Sequence, residues 1–394
     1  MKLSIIIVNY NVCHYLEQCL DSILKSNPAP EMEIWVVDNH SKDDSVETIR
    51  KEFPEVKLVA LAHNLGFARA NNVAIRQSAG EYVLLLNPDT VLAEDTLSKV
   101  LAFMDSHPKA GGCGVRMSHT DGSDAKESRR GIPTPMTSFY KMSGLCARFP
   151  NHPRFGHYYM SNLPWDKPGQ IEVISGAFCM LRKSALDKAG LLDEDFFMYG
   201  EDIDLSYRLI KAGYECWYVP CRILHYKGES TVKSSFRYVH VFYQAMLIFF
   251  RKHYGGMSVL LRLPIKLAIL AMASGAFISM QAHRIKLSLG FTDRPQRPVR
   301  YLFIGSDRSM NDMKRIAREN GLEATFLKAE GAVLDHGHLD QHFSADKYVV
   351  VYDMGVFNYA HVLDFFSRKP QPNVLVGFYH PLRSMVITPV SYLK

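Results

Sequence analysis

Buried strands alternate with amphipathic helices over residues 1 to 115, and this alternation constrains the fold more than any other feature. Four apolar runs each precede a helical segment: SIIIVNY, EIWVVDN, VKLVAL and YVLLLNP. Continuous Val, Ile and Leu strands that alternate with helices of 3.6-residue periodicity are typical of a parallel sheet covered on both faces. The sequence therefore predicts an α/β fold with a mainly parallel central sheet.

The composition narrows the class of protein further. The chain has 394 residues, of which 47% are hydrophobic and 22% charged, so it is a globular chain with room for two or three domains. A net charge of +6 is compatible with phosphate-bearing ligands or an anionic membrane, but a dedicated nucleic-acid binder needs more. We expect no nucleic-acid partner.

The cysteines and the N-terminus indicate the compartment. Seven cysteines are scattered without zinc-type spacing, and we interpret them as reduced thiols. The first apolar run stops at Asn9 and is too short for the hydrophobic region of a signal peptide. We expect a cytoplasmic protein.

Changes in pattern along the chain predict four regions: a main α/β domain over 1–232, a helical and apolar region over 233–290, a linker over 291–297 and a small Rossmann-like α/β domain over 298–394. Within the first region, residues 117–170 form a long excursion that contains Tyr158, Tyr159 and Trp165. These aromatic residues either stack on the rings of a ligand or close over it, or they form a small aromatic core beneath the loop. The role of the last region stays open between a sensor, a docking domain and a packing partner.

Residues 267–282 form an uncharged run of 16 residues between Lys266 and His283. A helix that spans a bilayer needs about 20 such residues, so this one is short. Basic residues flank it on both sides, which suits a helix lying on an anionic leaflet. A spanning helix and a buried core helix are the alternatives, and we expect peripheral association with the inner face of the cytoplasmic membrane.

Polar residues follow the predicted strands where each strand ends. They are Asn9 and Asn11, Asp38 and Asn39, Asn64, and Asn87 and Asp89. Because open parallel sheets bind ligands beyond the carboxyl ends of their strands, these positions predict the ligand-binding edge. Asp89 alone is either a helix cap or a metal ligand.

A second group of carboxylates begins a later helix, in the segment FFMYGEDIDLSYR. Acidic residues favour a helix N-terminus, but Glu201, Asp202 and Asp204 exceed what capping requires. Asp204 and Arg208 are four residues apart and are expected to pair on the helix surface. Glu201 and Asp202 then point toward the ligand. His225 follows another strand, where a lone histidine is either structural or a ligand.

Seven motifs in order give the chain a family resemblance: SIIIVNYN, VVDNHSKD, NLGFARANN, LLLNPDT, SGAFCMLR, FFMYGEDIDLSYRL and HYKGEST. Together they resemble the family 2 inverting glycosyltransferases, which have the nucleotide-diphospho-sugar transferase fold (glycosyltransferase A-type), and in particular the bacterial rhamnosyltransferase-like branch. The resemblance covers residues 3 to 232. It implies transfer from a dTDP- or UDP-sugar, with dTDP-rhamnose one candidate, to a lipid-linked saccharide acceptor in cell-surface polysaccharide synthesis.

The resemblance also implies roles for individual residues. Asp202 would be the general base with Glu201 beside it, and Asp89 and His225 would hold a divalent cation, Mg or Mn. Asp38 would accept the imide NH of uracil or thymine. NH groups that open the helix in segment 64–72 would suit a diphosphate, with Arg69 as a forked partner. The full set of donor-binding positions is Asn9, Tyr10, Asp38, Asn64, Gly66, Arg69, Asn72, Asn87 and Gly176.

The sequence departs from the family pattern at two points. Asn87 occupies the first position of the usual Asp-x-Asp metal motif, so one charged ligand is missing. The QxxRW motif of processive members is absent, and we expect addition of one sugar per encounter.

Two other functions are compatible with this fold. A sugar nucleotidyltransferase would carry a glycine-rich basic loop after the first strand, but NYNVCHYLEQ has no Gly, Lys or Arg. A non-catalytic scaffold subunit of a glycan assembly complex has no physical need for Asp38, Asp89, Asp202 and His225 together. The residues do not decide the donor sugar or its base.

Overall fold

The structure, a computed structural model, describes residues 1–226, 236–255 and 298–394, with isolated positions between 267 and 286. Within these residues the strands form two sheets, one of nine strands and one of six. The helix numbers used below likewise count only the helices within these described residues. The nine-stranded sheet belongs to the N-terminal part of the chain and the six-stranded sheet to the C-terminal part.

The elements of the first sheet and its helices follow the alternation expected from the sequence. The strands are β1 (Leu3–Asn9), β2 (Met32–Asp38), β3 (Lys57–Ala60), β4 (Tyr82–Leu86), β5 (Thr90–Leu92), β6 (Ala110–Ser118), β7 (Gly169–Ile171), β8 (Phe178–Arg182) and β9 (Glu215–His225). The helices are α1 (Cys13–Leu24), α2 (Ser45–Glu52), α3 (Phe67–Ile75), α4 (Thr96–Ser106), α5 (Pro135–Met142), α6 (Leu145–Arg148), α7 (Lys183–Ala189), α8 (Glu201–Lys211) and α9 (Phe236–His253).

The strand order is β3-β2-β1-β4-β8-β6-β9-β5, and β7 pairs with β9. All residues of the central strand β1 are buried, because helices cover both faces of the sheet. Strands β3, β2, β1 and β4 run parallel, whereas β8 and β5 are antiparallel to their neighbours. The predicted mainly parallel sheet is confirmed.

Two strand registers determine which residues meet at the edge of the sheet. The parallel pairing of β1 and β2 sets Asn9 opposite Asp38. The antiparallel pairing of β5 and β9 sets Thr90 opposite His225. Asp89 immediately precedes Thr90, so this second register brings it beside His225 although 135 residues lie between them in the chain.

The excursion 117–170 contains α5 and α6. The guanidinium carbon of Arg129 lies 3.5 Å from the ring centroid of Trp165, and the Tyr218 hydroxyl donates a hydrogen bond of 2.8 Å to the Trp165 carbonyl. The ammonium group of Lys141 lies 3.7 Å from the ring centroid of Tyr158, and Tyr159 packs edge-on against Tyr158. These contacts favour the aromatic-core interpretation for Trp165.

Helix α9 follows the main sheet and packs beside α8. Phe249 and Ala245 are buried against Phe196 in a small hydrophobic cluster. Among the described residues, no helix is long and apolar enough to cross a membrane. Half of the predicted apolar segment 267–282 lies outside the described residues, and the predicted linker 291–297 lies wholly outside them.

The C-terminal sheet is smaller. Its strands are β10 (Val299–Gly305), β11 (Glu323–Lys328), β12 (Lys347–Asp353), β13 (Val374–His380), β14 (Met385–Ile387) and β15 (Tyr392–Leu393), in the order β11-β10-β12-β13-β14-β15. Its helices are α10 (Asp307–Glu319), α11 (Ala332–His336) and α12 (Tyr359–Arg368). The first four strands in this order are parallel, and β14 and β15 continue the sheet with antiparallel pairings.

The two sheets share one hydrophobic cluster. Val91, Leu224 and Tyr226 of the β5 and β9 edge belong to the same buried cluster as the C-terminal strands and α12. The carboxylate of Glu94 accepts hydrogen bonds from the backbone NH groups of Tyr359 (2.8 Å) and Ala360 (2.9 Å) at the start of α12. The C-terminal sheet therefore packs directly against the strand that follows Asp89.

Candidate active site

The ends of β1 and β2 form a rigid polar corner. Asp38 is almost fully buried, and one carboxylate oxygen accepts a hydrogen bond of 3.0 Å from the amide of Asn9. Its other oxygen accepts a hydrogen bond of 2.9 Å from the backbone NH of Ser41. Tyr10 follows at the end of β1 and is half-buried. These bonds fix the orientation of the Asp38 carboxylate, which suits selective recognition of a planar base edge.

The loop before α3 is held by two asparagines. Asn39 accepts a hydrogen bond from the NH of Leu65, and Asn64 accepts one from the NH of Gly66. The NH of Phe67 donates to the Phe197 carbonyl at 2.7 Å. Three NH groups at this turn therefore already have acceptors within the protein. An anion bound here would accept hydrogen bonds from other donors, including the side chain of Arg69.

Gly66 makes this turn possible. Its φ of +81° lies in the left-handed region, and a Cβ there would be 2.4 Å from the Phe197 carbonyl oxygen. Any other residue would therefore displace the segment before α8 or change the start of α3. Gly66 couples the predicted diphosphate segment to the loop that leads into the acidic helix.

Arg69 and Asn72 occupy different positions on α3. Arg69 is more than half exposed, and its Nε lies 3.8 Å from a carboxylate oxygen of Glu194. Asn72 is buried, and its amide exchanges hydrogen bonds with the backbone of Leu192 and donates to Glu194. Asn72 thus fastens the loop before α8 and is not directed toward the other predicted donor residues. Hydrogen bonds from Asn72 and Arg76 also lower the pKa of Glu194.

Asp89 and His225 form a buried pair at the end of the sheet. The Nε2 atom of His225 lies 3.3 Å from Oδ1 of Asp89 and 3.5 Å from the amide nitrogen of Asn87. A carboxylate and an imidazole at this separation fit a divalent cation. In the described part of the chain no three His, Cys, Asp or Glu side chains group together as a metal cluster. The protein would supply two strong ligands here, and the remaining positions would fall to diphosphate oxygens and water.

Helix α8 presents its three acidic residues in three different environments. Asp204 pairs with Arg208 at 2.7 Å, which confirms the predicted pairing, but the pair does not lie on the helix surface as expected, because Asp204 is fully buried. Its other oxygen lies 2.6 Å from Nε2 of His253 on α9. Asp204 therefore holds α8 to α9 and takes no part in the site.

Asp202 points to the sheet edge. One carboxylate oxygen accepts hydrogen bonds from the guanidinium of Arg130 and, at 3.3 Å, from the backbone NH of Gly176. The ion pair is largely buried, with 15% of each side chain exposed. Gly176 faces Asp202, because a Cβ added to Gly176 would lie 3.6 Å from the Cβ of Asp202. A carboxylate held this way is positioned to receive a proton from a ligand at the same edge.

Glu201 lies beside Asp202 but is chemically distinct. It is buried, and its Oε2 atom has no hydrogen-bond partner among the described residues. Burial, with the nearby charge of Asp202 as the second cause, raises the pKa of Glu201 to about 8. This shift favours the protonated form of Glu201, whereas the Asp202 carboxylate has the Arg130 guanidinium as its counter-charge. Of the two adjacent carboxyls, Asp202 is therefore the better candidate for the proton acceptor.

Sequence reasoning missed Arg130. It lies in the segment SRRGIP, 72 residues before Asp202, in a region without regular periodicity. The only signal was a pair of adjacent arginines in a segment that otherwise suggested an exposed loop. Ser41, which binds both Asn9 and Asp38, was missed for the same reason.

The fold and the site define an α/β protein with carboxylates at the carboxyl ends of its strands, and comparisons with known proteins show its family. A model of glycosyl transferase family 2 matches residues 4–190. N-acetylglucosaminyl-diphospho-decaprenol L-rhamnosyltransferase of Mycobacterium tuberculosis is 30% identical over 268 residues, which cover 64% of this chain and 85% of that protein. Poly-beta-1,6-N-acetyl-D-glucosamine synthase of Staphylococcus epidermidis is 29% identical over 222 residues, 55% of this chain and 48% of that protein.

One solved structure with a similar fold is the mannosyltransferase PcManGT of Pyrobaculum calidifontis in complex with GDP-Man and Mn²⁺. It is 18% identical, with a TM-score of 0.43, over 71% of this chain and 75% of that one. The chain belongs to glycosyltransferase family 2 and is a glycosyltransferase. The family resemblance and the glycosyltransferase A-type fold expected from the motifs are confirmed.

Proposed function

We propose that the protein transfers one sugar from a nucleotide-diphosphate donor to a saccharide acceptor, with inversion at the anomeric carbon. The observation that carries the proposal is that three units lie at the same end of the strands β2, β1, β4 and β8. They are the Asp38 corner, the Asp89 and His225 pair, and Asp202 held by Arg130 beside Gly176. These units match the three parts of such a reaction, which are the base, the diphosphate and the attacking hydroxyl.

In the proposed step the acceptor oxygen bonds to the anomeric carbon while the bond from that carbon to the diphosphate oxygen breaks. The hydroxyl proton moves to Asp202, and the electron pair leaves with the nucleoside diphosphate. The Arg130 guanidinium keeps the Asp202 carboxylate oriented for this transfer. A divalent ion held by Asp89 and His225 would neutralise charge on the departing diphosphate as a Lewis acid.

The ligand set favours one of the two cations considered. Mg²⁺ takes oxygen ligands almost throughout, whereas an imidazole nitrogen is better accepted by Mn²⁺. Asn87 contributes no charge where many family members have an aspartate. We therefore propose Mn²⁺ as the better cofactor, bound more weakly than in a site with two aspartates.

For the donor we propose a dTDP- or UDP-sugar, because an aspartate accepts the imide NH that thymine and uracil share. Similarity to a rhamnosyltransferase makes dTDP-rhamnose the first donor to test. That relative's name includes a diphospho-decaprenol substrate, which supports a lipid-linked acceptor in bacterial cell-surface polysaccharide synthesis. Because a lipid-linked acceptor is anchored in the membrane, we propose that the protein acts at the inner face of the cytoplasmic membrane.

Transfer assays with radiolabelled dTDP-rhamnose, UDP-GlcNAc and GDP-mannose test the proposal, with a polyprenyl-diphospho-saccharide as the acceptor and Mn²⁺ present. We expect one labelled sugar per acceptor from a thymidine or uridine donor, and loss of donor binding in Asp38→Asn. An Asp307→Asn variant serves as control, because Asp307 is exposed in the C-terminal sheet region. Transfer from GDP-mannose alone, or no transfer by folded protein, would overturn it.

A further inference from the structure

The excursion between the main sheet and α8 has an unusual charge distribution. From residue 128 to residue 165 the chain contains no Asp or Glu, and it contains five basic residues. Arg129 and Arg130 are largely buried, whereas Lys141, Arg148 and Arg154 are exposed. The exposed side of this segment therefore carries positive charge with no acidic residue of its own to neutralise it.

Large apolar side chains are exposed on the same segment. Met136 is 55% exposed, Phe139 54% and Phe149 45%. Met136 and Phe139 lie three residues apart on α5 and so share a face of that helix. Clustered exposure of this kind on a soluble protein marks an interaction surface.

Ring contacts join these side chains into one continuous patch. The centroids of Phe139 and Tyr140 are 6.0 Å apart, those of Tyr140 and Phe155 are 4.9 Å apart, and those of Phe155 and Phe149 are 5.9 Å apart. A groove of about 560 Å³ opens beside them, lined in part by Met136, Tyr140 and Arg154. The guanidinium carbon of Arg148 lies 5.8 Å from the ring centroid of Phe149. The basic-aromatic face, as we name it, comprises Met136, Phe139, Arg148, Phe149 and Arg154.

We propose that the basic-aromatic face docks on an anionic phospholipid membrane. Exposed Phe and Met side chains enter the acyl boundary, while Arg148 and Arg154 attract anionic headgroups. Charge complementarity selects this occupant, because every charged side chain on the face is positive.

The basic-aromatic face lies near the Asp202 side of the candidate active site, so docking there would bring the membrane close to that site. Arg130, which holds Asp202, lies five residues before α5, and the NH of Gly131 donates to the carbonyl of Tyr158 at 3.1 Å. A membrane at this face would present a lipid-linked hydroxyl on the Asp202 side of the site. This last step rests on the proposed function, whereas docking itself does not.

Vesicle co-sedimentation of the full chain, without donor or acceptor, tests docking. Three proteins are compared on phosphatidylglycerol-containing vesicles and on pure phosphatidylcholine: wild type, an apolar variant (Met136→Ser, Phe139→Ser, Phe149→Ser) and a charge variant (Arg148→Glu, Arg154→Glu). A matched charge control reverses Lys314 and Arg318, which are exposed in the C-terminal region. Thermal unfolding confirms that each variant is folded.

We expect wild type to prefer the anionic vesicles, and partitioning of the charge variant to fall by roughly 100-fold or more, since each lost cation weakens binding several-fold. The control should bind like wild type. Hydrogen exchange with vesicles present should protect peptides covering 136–158, which separates this face from any contribution of residues 256–297.

Equal vesicle binding by all variants, or no protection of 136–158, would overturn the proposal. So would a wild-type dimer in light scattering that the apolar variant loses, because the face would then be an interface between two copies of the chain. Because these measurements need no transfer, failure of docking and failure of the proposed transfer reaction are separate results.

Discussion

Arg130 donates a hydrogen bond to the carboxylate of Asp202, and the two side chains form a largely buried ion pair between the excursion and the start of α8. This pair ties the acidic helix to a segment that sequence patterns describe only as a loop. It also separates the roles of two adjacent carboxyls, because Asp202 has a cationic hydrogen-bond partner, whereas the Oε2 atom of Glu201 has no hydrogen-bond partner among the described residues. The first predictions test this separation.

Asp202→Asn should abolish transfer and leave donor binding intact. An amide cannot accept the hydroxyl proton, and loss of a general base typically lowers the rate by about 10² to 10⁴. Steady-state rates and donor affinity, measured together, check this. Asp187→Asn, an exposed aspartate on α7, is the control. Equal losses in rate and donor affinity would instead indicate that Asp202 binds the donor.

Arg130→Met should lower both stability and activity, because it leaves the Asp202 carboxylate largely buried without a counter-charge. Breaking one side of a buried pair costs about 3–5 kcal/mol, so unfolding must be measured alongside the rate. We expect kcat per folded molecule to fall while the KM for the donor stays near the wild-type value, because the Asp202 carboxylate loses the guanidinium that orients it. An Arg130→Lys variant should restore part of kcat. A purely structural role would lower the amount of folded protein and leave the kcat of the folded fraction unmoved.

Glu201 makes stability depend on pH. Its folded-state pKa of about 8 lies above the ordinary value of 4.5 because of burial, so the folded state holds this proton more tightly than the unfolded state. The contribution is fully present below pH 4.5 and is lost as the pH rises to about 8. Glu201→Gln, which is neutral throughout, should raise the unfolding free energy at pH 8 by about 1–3 kcal/mol relative to wild type. Denaturant unfolding of both proteins across this range checks it, and parallel pH curves would contradict it.

Asp89→Asn should weaken Mn²⁺ binding by at least about 10-fold, and His225→Gln by a similar factor, because each removes one of two strong ligands. Thermal unfolding with increasing Mn²⁺ in the presence of nucleoside diphosphate reports the affinity, since a ligand that binds only the folded state raises stability. Asp187→Asn, at an exposed position on α7, should leave the Mn²⁺ response unchanged. A full Mn²⁺ response in both Asp89 and His225 variants would remove the proposed metal site.

The sequence was sufficient for the parts of the site that depend on strand ends. Asn9 and Asp38 meet because parallel strands end at the same edge, and apolar runs reveal where those strands end. The pairing of Asp89 with His225 followed only from the family resemblance, because it depends on the antiparallel register of β5, a strand of three residues. Short strands carry too few residues to show a periodicity.

Other features depended on tertiary contacts that no local pattern encodes. Asn72 lies in a motif that resembles a donor-binding segment, yet its amide fastens the backbone at Leu192. Arg130 reaches Asp202 across a loop whose path follows from packing. The sequence also did not predict that the C-terminal sheet packs against β5, because no residue pattern in the C-terminal region indicates which surface it contacts.

That attachment yields the last prediction, which concerns Glu94. Its two carboxylate oxygens accept hydrogen bonds from the first NH groups of α12, and a charged cap at a helix N-terminus contributes about 1–2 kcal/mol. Glu94 follows β5, and Val91 of that strand is buried in the hydrophobic cluster shared with the C-terminal sheet. Loosening this contact should therefore also loosen the strand that Asp89 precedes.

We expect Glu94→Ala to lower the unfolding free energy by about 1–2 kcal/mol and to weaken Mn²⁺ binding although Glu94 is not a ligand. The Glu94→Gln variant keeps two polar atoms but loses the charge. Its stability and Mn²⁺ affinity should therefore lie between those of wild type and Glu94→Ala. Glu319→Ala on α10 is the control, because Glu319 pairs only with the exposed Arg315 among the contacts described for it. If Mn²⁺ affinity stays at the wild-type value while stability falls, the C-terminal sheet stabilises the chain without supporting the metal site. A fall in both would give the C-terminal sheet a function, which is to hold β5 in the register that sets Asp89 beside His225.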